Sequence, residues 1–222
     1  YCGRIKTQTP LKSKSPDIIK EALSRPLPAS EAHRLFLPPA RSLEMSEEIK
    51  RHVKHSAVML LLIDNDGSLS LCLTRRNSHM KHHPGQISFP GGKMDEGEND
   101  HLETALRELE EETGIARDKV TVCGSLSDLY IEVSNFLIHP VVGYINGLPN
   151  FNINPDEVDE VFLVPLTSFF NENNISKERI NTHFGTIDTP AYLIDGKVIW
   201  GATAMIIAEF TMQLTTFFLH RE

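Results

Sequence analysis

The chain has 222 residues, 40% of them hydrophobic and 23% charged, which is ordinary globular composition and enough length for one domain with a sizeable core. A formal net charge of −8 argues against a broad polyanion-binding surface, and so against nucleic acid as a partner, while leaving room for a small basic pocket that takes one phosphorylated ligand. Cys2, Cys72 and Cys123 show no CxxC spacing, which indicates neither a disulfide framework nor a structural zinc site and makes a reducing, cytoplasmic compartment the default expectation.

In chain order, residues 1–45 read as an N-terminal extension, peripheral or partly flexible, and residues 46–222 as the folded domain. The opening "YCGRIKTQTPLKSKSP" is basic and free of acids, which suits a flexible arm or a mitochondrial transit segment. "SPDIIKEALS" predicts a short helix with Pro16 at its first position, after which Pro26, Pro28, Pro38 and Pro39 interrupt regular structure. "HSAVMLLLIDNDGSLSLCLTRR" predicts two strands joined at Asn65-Asp66-Gly67. Its apolar run, 57–63, is far too short to cross a bilayer, and no membrane association is expected. The Gly-, Pro- and His-rich stretch "HMKHHPGQISFPGGKMDEGEND" predicts a long structured loop, followed by a helix over 100–113 with Gly114 as its cap. Strands are expected at 119–127, 135–145 and 160–166, with a short helix near 166–171. "AYLIDGKVIW" is a hairpin turning at Asp195-Gly196, and "GATAMIIAEFTMQLTTFFL" a closing helix. The alternation predicts an α/β domain with helices on a largely mixed sheet.

The helix carries "RELEEETG", residues 107–114. With about 100° per residue, Glu112 lies near +40° and Glu111 near −60° from Glu108, apart from the apolar stripe of Leu102, Ala105, Leu106 and Leu109. Like charges at these spacings repel by roughly 0.2–0.5 kcal/mol per pair. Arg107 lies beside Glu111 in projection, where a forked hydrogen bond is expected to hold one carboxylate. A solvated acidic face would explain the helix alone. The preceding "FPGGKMDEGE" adds a tight turn whose backbone carbonyls complete an oxygen ring, and magnesium favours oxygen ligands of this kind together with substrate phosphate. A bound cation would offset the repulsion between the glutamates.

"GGKMDEGENDHLETALRELEEETGI" resembles the Nudix box of hydrolases that cleave a diphosphate linked to another moiety. Arg107, Glu108, Leu109, Glu111, Glu112, Gly114 and Ile115 match its second half; in the first half, Gly92 and Glu98 match only if one residue is inserted, the usual glutamate otherwise falling on Asn99. The inserted spacing is similar to the coenzyme A pyrophosphatase branch, as is the upstream run "LCLTRRNSHMKHHPGQISFPGG". There Leu73, Thr74, Arg76, Gly85, Phe89, Pro90, Gly91 and Gly92 fit, Asn77 replaces Ser or Ala, and Lys81 replaces a second Arg, keeping the charge without the bidentate geometry.

The resemblance implies an α/β/α Nudix sandwich with a mixed sheet and hydrolysis of coenzyme A, or a derivative, to phosphopantetheine and adenosine 3′,5′-bisphosphate with Mg2+ or Mn2+. It implies metal ligation by Glu108, Glu111 and Glu112, by the Gly91 or Gly92 carbonyl, and by Glu157 from the later "NPDEVDEV" loop. Glu108, Glu111 and Arg107 become the expected catalytic residues, and Arg75, Arg76, Lys81 and Gly85 the expected substrate-binding ones. Two alternatives stand beside this: a Nudix hydrolase of another substrate (ADP-ribose, a nucleotide sugar or a dinucleotide), and a nucleotide-binding domain without turnover.

Overall fold

In the computed structural model, which describes residues 15–39, 41–79, 84–98, 100–182 and 185–221, the chain runs through helices α1 (Pro16–Leu23), α2 (Ser30–His33) and α3 (Glu47–Lys50) into strands β1 (Lys54–Asn65), β2 (Ser68–Arg76), β3 (Ile87–Ser88) and β4 (Gly91–Lys93). Helix α4 (His101–Thr113) follows, then β5 (Thr121–Ser125), β6 (Leu129–Ile131), β7 (Phe136–Asn146), β8 (Val158–Pro165), β9 (Ile175–Thr182), β10 (Gly185–Ile194), β11 (Lys197–Trp200) and α5 (Gly201–Leu219).

An eight-stranded mixed sheet forms the centre. Its main path is β3-β2-β1-β7-β5, with β4 on β1, β6 on β7 and β8 on β2. The β1–β7 pair is parallel and the others are antiparallel. Strand β1 is buried on both sides, which is why its sequence is a continuous apolar run. Ala57, Met59, Leu61 and Ile63 face α4, whereas Leu60 and Leu62 face the larger core under α5. The β1–β2 turn places Asp66 and Gly67 at φ 49° and 84°, the left-handed pair a two-residue hairpin needs, and the Asp64 carboxylate accepts the Gly67 N–H at 2.7 Å.

Helix α4 ends at Gly114 as its sequence predicts and begins one residue later than expected, after Asp100. Asp100 Oδ1 accepts the Leu102 N–H at 2.8 Å as the N-cap, and Gly114 closes the other end at φ 74°, donating to Glu110 at 2.8 Å. Helix α5 is apolar all round because its surroundings are protein on most sides; Phe210 and Phe217 are fully enclosed, each side chain contributing about 1.5–3 kcal/mol by burial.

From residue 15 the N-terminal extension is docked on the core, not peripheral to it; the arm expected before that lies outside the described residues. Ile19, Ala22 and Phe36 belong to the main core, Gln213 donates to the Ala22 carbonyl at 2.6 Å, and His33 meets Glu209 of α5 at 2.9 Å, both side chains buried. Prolines do interrupt the segment, but short helices between them suffice to bury one face. A second, three-stranded sheet, β11-β10-β9, completes the α5 side; only its β10–β11 hairpin is legible from the chain, through Asp195 and Gly196 at φ 50° and 73°.

Candidate active site

Three carboxylates converge where α4 meets the loop before β8. One oxygen each from Glu108, Glu112 and Glu157 lies within 4.8 Å of the others. Glu112 is 3% exposed, and its Oε2 is buried with no hydrogen-bond partner. Its Oε1 lies 3.9 Å from Arg76 Nη1, and the Gly91 N–H also hydrogen-bonds the carboxylate. Burial pushes the Glu112 carboxyl up to about 8, against the pull of Arg76; Glu108 and Glu157 add to the rise. Glu108 is also raised, by burial first, while Arg107 draws it down and Glu111 and Glu157 push it up.

Arg107 organises the rim. Its Nε and Nη2 fork onto the two oxygens of Glu98 at 3.1 and 3.3 Å, while Nη1 reaches Glu108 at 2.8 Å and Glu111 at 3.0 Å. Nη2 also donates to the Lys93 carbonyl at 3.3 Å. The expected fork on Glu111 is therefore made to Glu98 instead, because a fork needs a carboxylate facing the guanidinium plane and the loop supplies one. Arg107, the Asp95 N–H and Thr104 hold Glu98 down at about 2. This pairing places Glu98 opposite Arg107, as the one-residue insertion requires; Asn99 lies outside the described residues.

The other expected residues separate. Glu111 lies outside the three-carboxylate cluster, half-exposed and bound to Arg107. Gly92 lies opposite Ala57 in β4 and presses on Glu108, with no space for a Cβ. Arg75 and Arg76 leave β2 on opposite faces: Arg76 turns to Glu112, whereas Arg75 lies 3.8 Å from Glu160 and over the Phe162 ring. Gly85 adopts φ 67° and donates to the Arg76 carbonyl at 3.1 Å, folding the loop back onto β2. Lys81 lies outside the described residues, as do His82 and His83. Thr203 donates to the Ile87 carbonyl at 3.3 Å, Phe89 is buried, and burial pushes the thiols of Cys72 and Cys123 up to about 12 and 11, with the negative charge of Glu112 adding to the rise at Cys72.

The NUDIX domain family matches residues 53–184, more than half of the chain and all of the cluster. The chain belongs to the Nudix family. The uncharacterized Nudix hydrolase NudL of Yersinia enterocolitica is 36% identical over 163 residues, covering 72% of this chain and 82% of that protein. Nudix hydrolase 3 of Caenorhabditis elegans is 38% identical over 169 residues, covering 69% and 70% of the two chains. The fold is also shared with RenU, a Nudix hydrolase from M. smegmatis, at TM-score 0.50 and 14% identity over 73% of this chain and 84% of that one.

Nudix hydrolases generally use divalent metal ions, and the residues here fit one. The donors are carboxylate oxygens alone, suited to a hard cation, and the buried oxygen of Glu112 has no protein partner. Three acids this close in a shielded site need either protons or a cation to compensate them. Glu108, Glu112 and Glu157 are the side chains placed to hold it. When bound, such an ion supplies positive charge against phosphoryl oxygens and an acidified water. Arg107 bridges Glu108 and Glu111 through Nη1 and offsets their repulsion, and Arg76 adds a cation beside the cluster.

Proposed function

We propose that this Nudix hydrolase cleaves the diphosphate of coenzyme A or one of its derivatives, giving phosphopantetheine and adenosine 3′,5′-bisphosphate, with Mg2+ or Mn2+ held by Glu108, Glu112 and Glu157. The observation that carries the reading is the folding of the upstream motif onto the carboxylates. Arg76 approaches Glu112, Gly85 closes on Arg76, and Gly92 abuts Glu108, so the motif's described residues bring a cation and a close-packed glycine backbone up to the carboxylates that would meet a diphosphate. In this reading Glu111 takes a proton from the attacking water; its exposure and its position outside the cluster support that role, since the proton can pass on to solvent. The compartment proposed is the cytoplasm.

The divergence of Arg75 favours one second reading. With that cation on the far face of the sheet, a ligand with fewer phosphates than coenzyme A, such as ADP-ribose, meets the same local charge. Incubating purified protein with Mg2+ and coenzyme A, acyl-coenzyme A, ADP-ribose or a diadenosine polyphosphate separates the two. The coenzyme A reading predicts adenosine 3′,5′-bisphosphate as product. It is lost if another substrate is favoured about a hundredfold in kcat/KM, a difference of roughly 2.7 kcal/mol in transition-state binding.

A further inference from the structure

The loop that delivers Glu157 is tied down at two places. On the α4 side, Asn152 donates to the Thr113 carbonyl at 2.9 Å and Asn154 to the Glu112 carbonyl at 3.1 Å. Asn154 then shapes a tight turn: its side-chain oxygen accepts the Asp156 N–H at 3.1 Å, and its carbonyl accepts Glu157 and Val158 at 3.1 and 2.9 Å. These bonds fix one edge of the turn to the helix.

The second tie comes from the end of β2. The Asn77 N–H donates to the Glu157 carbonyl at 2.9 Å, and its side-chain amide donates to the Pro155 carbonyl at 2.6 Å. The same amide's oxygen accepts the His79 N–H at 2.8 Å and faces the His79 ring Nδ1 at 3.0 Å, so its orientation is set from both ends. Ser78 N–H reaches Asp159 Oδ2 at 3.3 Å, beside a register shift in which Arg75 pairs Glu160 and Arg76 pairs Val158. Asp159 is thus the extra residue, and the shift re-aims the strand entering from Glu157.

We propose that Asn77 is a positioning residue that sets the Glu157 carboxylate in the cation cradle by clamping the Pro155–Glu157 backbone to the end of β2. The inference rests on the reading that Glu108, Glu112 and Glu157 hold a divalent cation. Three carboxylates within 4.8 Å repel one another, and Glu157 is the only one of them on a loop. Its two anchors work against that repulsion from different directions. The Asn77 side chain ties the turn to β2 through the Pro155 carbonyl, so its removal loosens the turn there while the backbone bond to the Glu157 carbonyl and the pairing of Arg76 with Val158 remain. The neutral amide suits the place: it donates to a carbonyl without adding charge beside the acids.

The test is Mn2+ titration of the full chain, read by the electron paramagnetic resonance of free Mn2+, on wild type, Asn77→Ala, Glu157→Gln and the double variant, with thermal unfolding measured in parallel. Asn77→Ala is expected to weaken Mn2+ about tenfold, the size typical of outer-shell partners. In the Glu157→Gln background the same change is expected to cost less than about twofold, because both act through one carboxylate. A full tenfold loss in both backgrounds overturns the proposal, as does Mn2+ affinity in Asn77→Ala equal to wild type. Should Asn77→Ala fail to fold, Asn77→Ser takes its place in the cycle, its hydroxyl too short to bridge to Pro155. Wild type without Mn2+ affinity would overturn the cation reading and this inference together. Glu112→Gln abolishing affinity while Glu157→Gln leaves it unchanged would overturn this inference alone.

Discussion

Gly92 and Glu108 meet so closely that a Cβ on residue 92 would overlap the glutamate carboxylate. A hydrogen is the only side chain that lets β4 pass beneath α4 with that carboxylate facing the cluster. Gly92→Ala should therefore displace Glu108 while leaving the short edge strand intact. The expected result is at least a tenfold loss of Mn2+ affinity and of kcat with a cooperative thermal transition retained. Wild-type affinity in this variant would show that the Glu108 carboxylate has no fixed place in the site.

Glu112 gives the metal-free protein a pH dependence of defined sign. Burial raises its carboxyl from 4.5 to about 8. Between those values the unfolded chain gives up a proton that the folded protein keeps. Stability from this group is thus complete below the lower value, falls as pH rises towards about 8, and then levels off. Urea denaturation in EDTA at about pH 6 and about pH 8 should show a falling midpoint for wild type and a flatter response for Glu112→Gln. Mn2+ should restore wild type at the higher pH, since it replaces the proton, and should do nothing for the variant.

Glu111 occupies a different position from its two neighbours on the helix. It is half-exposed and shares Arg107 with Glu108. Glu111→Gln should leave Mn2+ affinity within about tenfold and stability within about 0.5 kcal/mol, as for most surface changes. Turnover should fall by at least about two orders of magnitude, within the range seen for general bases. Unchanged kcat at saturating metal would remove Glu111 from the proton-transfer role.

His33 and Glu209 join the N-terminal segment to α5 at 2.9 Å, and Glu209 also accepts the Ser127 N–H at 3.2 Å. Both side chains are buried, so His33→Ala leaves Glu209 Oε2 without its partner where water cannot reach it. A loss of about 1–3 kcal/mol is expected for leaving a buried polar group unsatisfied, read as a lowered urea midpoint. An effect below about 1 kcal/mol would mean that the segment docks without it.

Much of this was written in local sequence. Helix α4 announces itself through Gly114 and an apolar stripe, and the two hairpins through Asp66-Gly67 and Asp195-Gly196, because each rests on chemistry within a few residues. Strand β9 escaped notice: its exposed, alternating "ISKERINT" lacks the apolar character that marks a buried strand. The burial of Ile19 and Phe36 depends on α5, nearly two hundred residues away in the chain. In the site, the helix glutamates were visible as a pattern. The partition among them was not, since whether Arg107 forks onto Glu98 or Glu111 is decided by how the loop folds back. Asn77 looked like a mere departure from a motif because its partners, Pro155 and Glu157, come from the far side of the sheet's crossover.

Strands β1 and β7 lie side by side in parallel, so the whole excursion from Ser68 to Ile131 has to close before that ladder can zip. Gly92, Glu108 and Glu112 travel inside the excursion, and Glu157 arrives after it. A chain recovering from denaturant would regain helical ellipticity well before it could quench a manganese signal, because contacts between distant segments form slowly. On the ribosome the same order holds: a nascent chain stays chemically silent until its last acid has emerged.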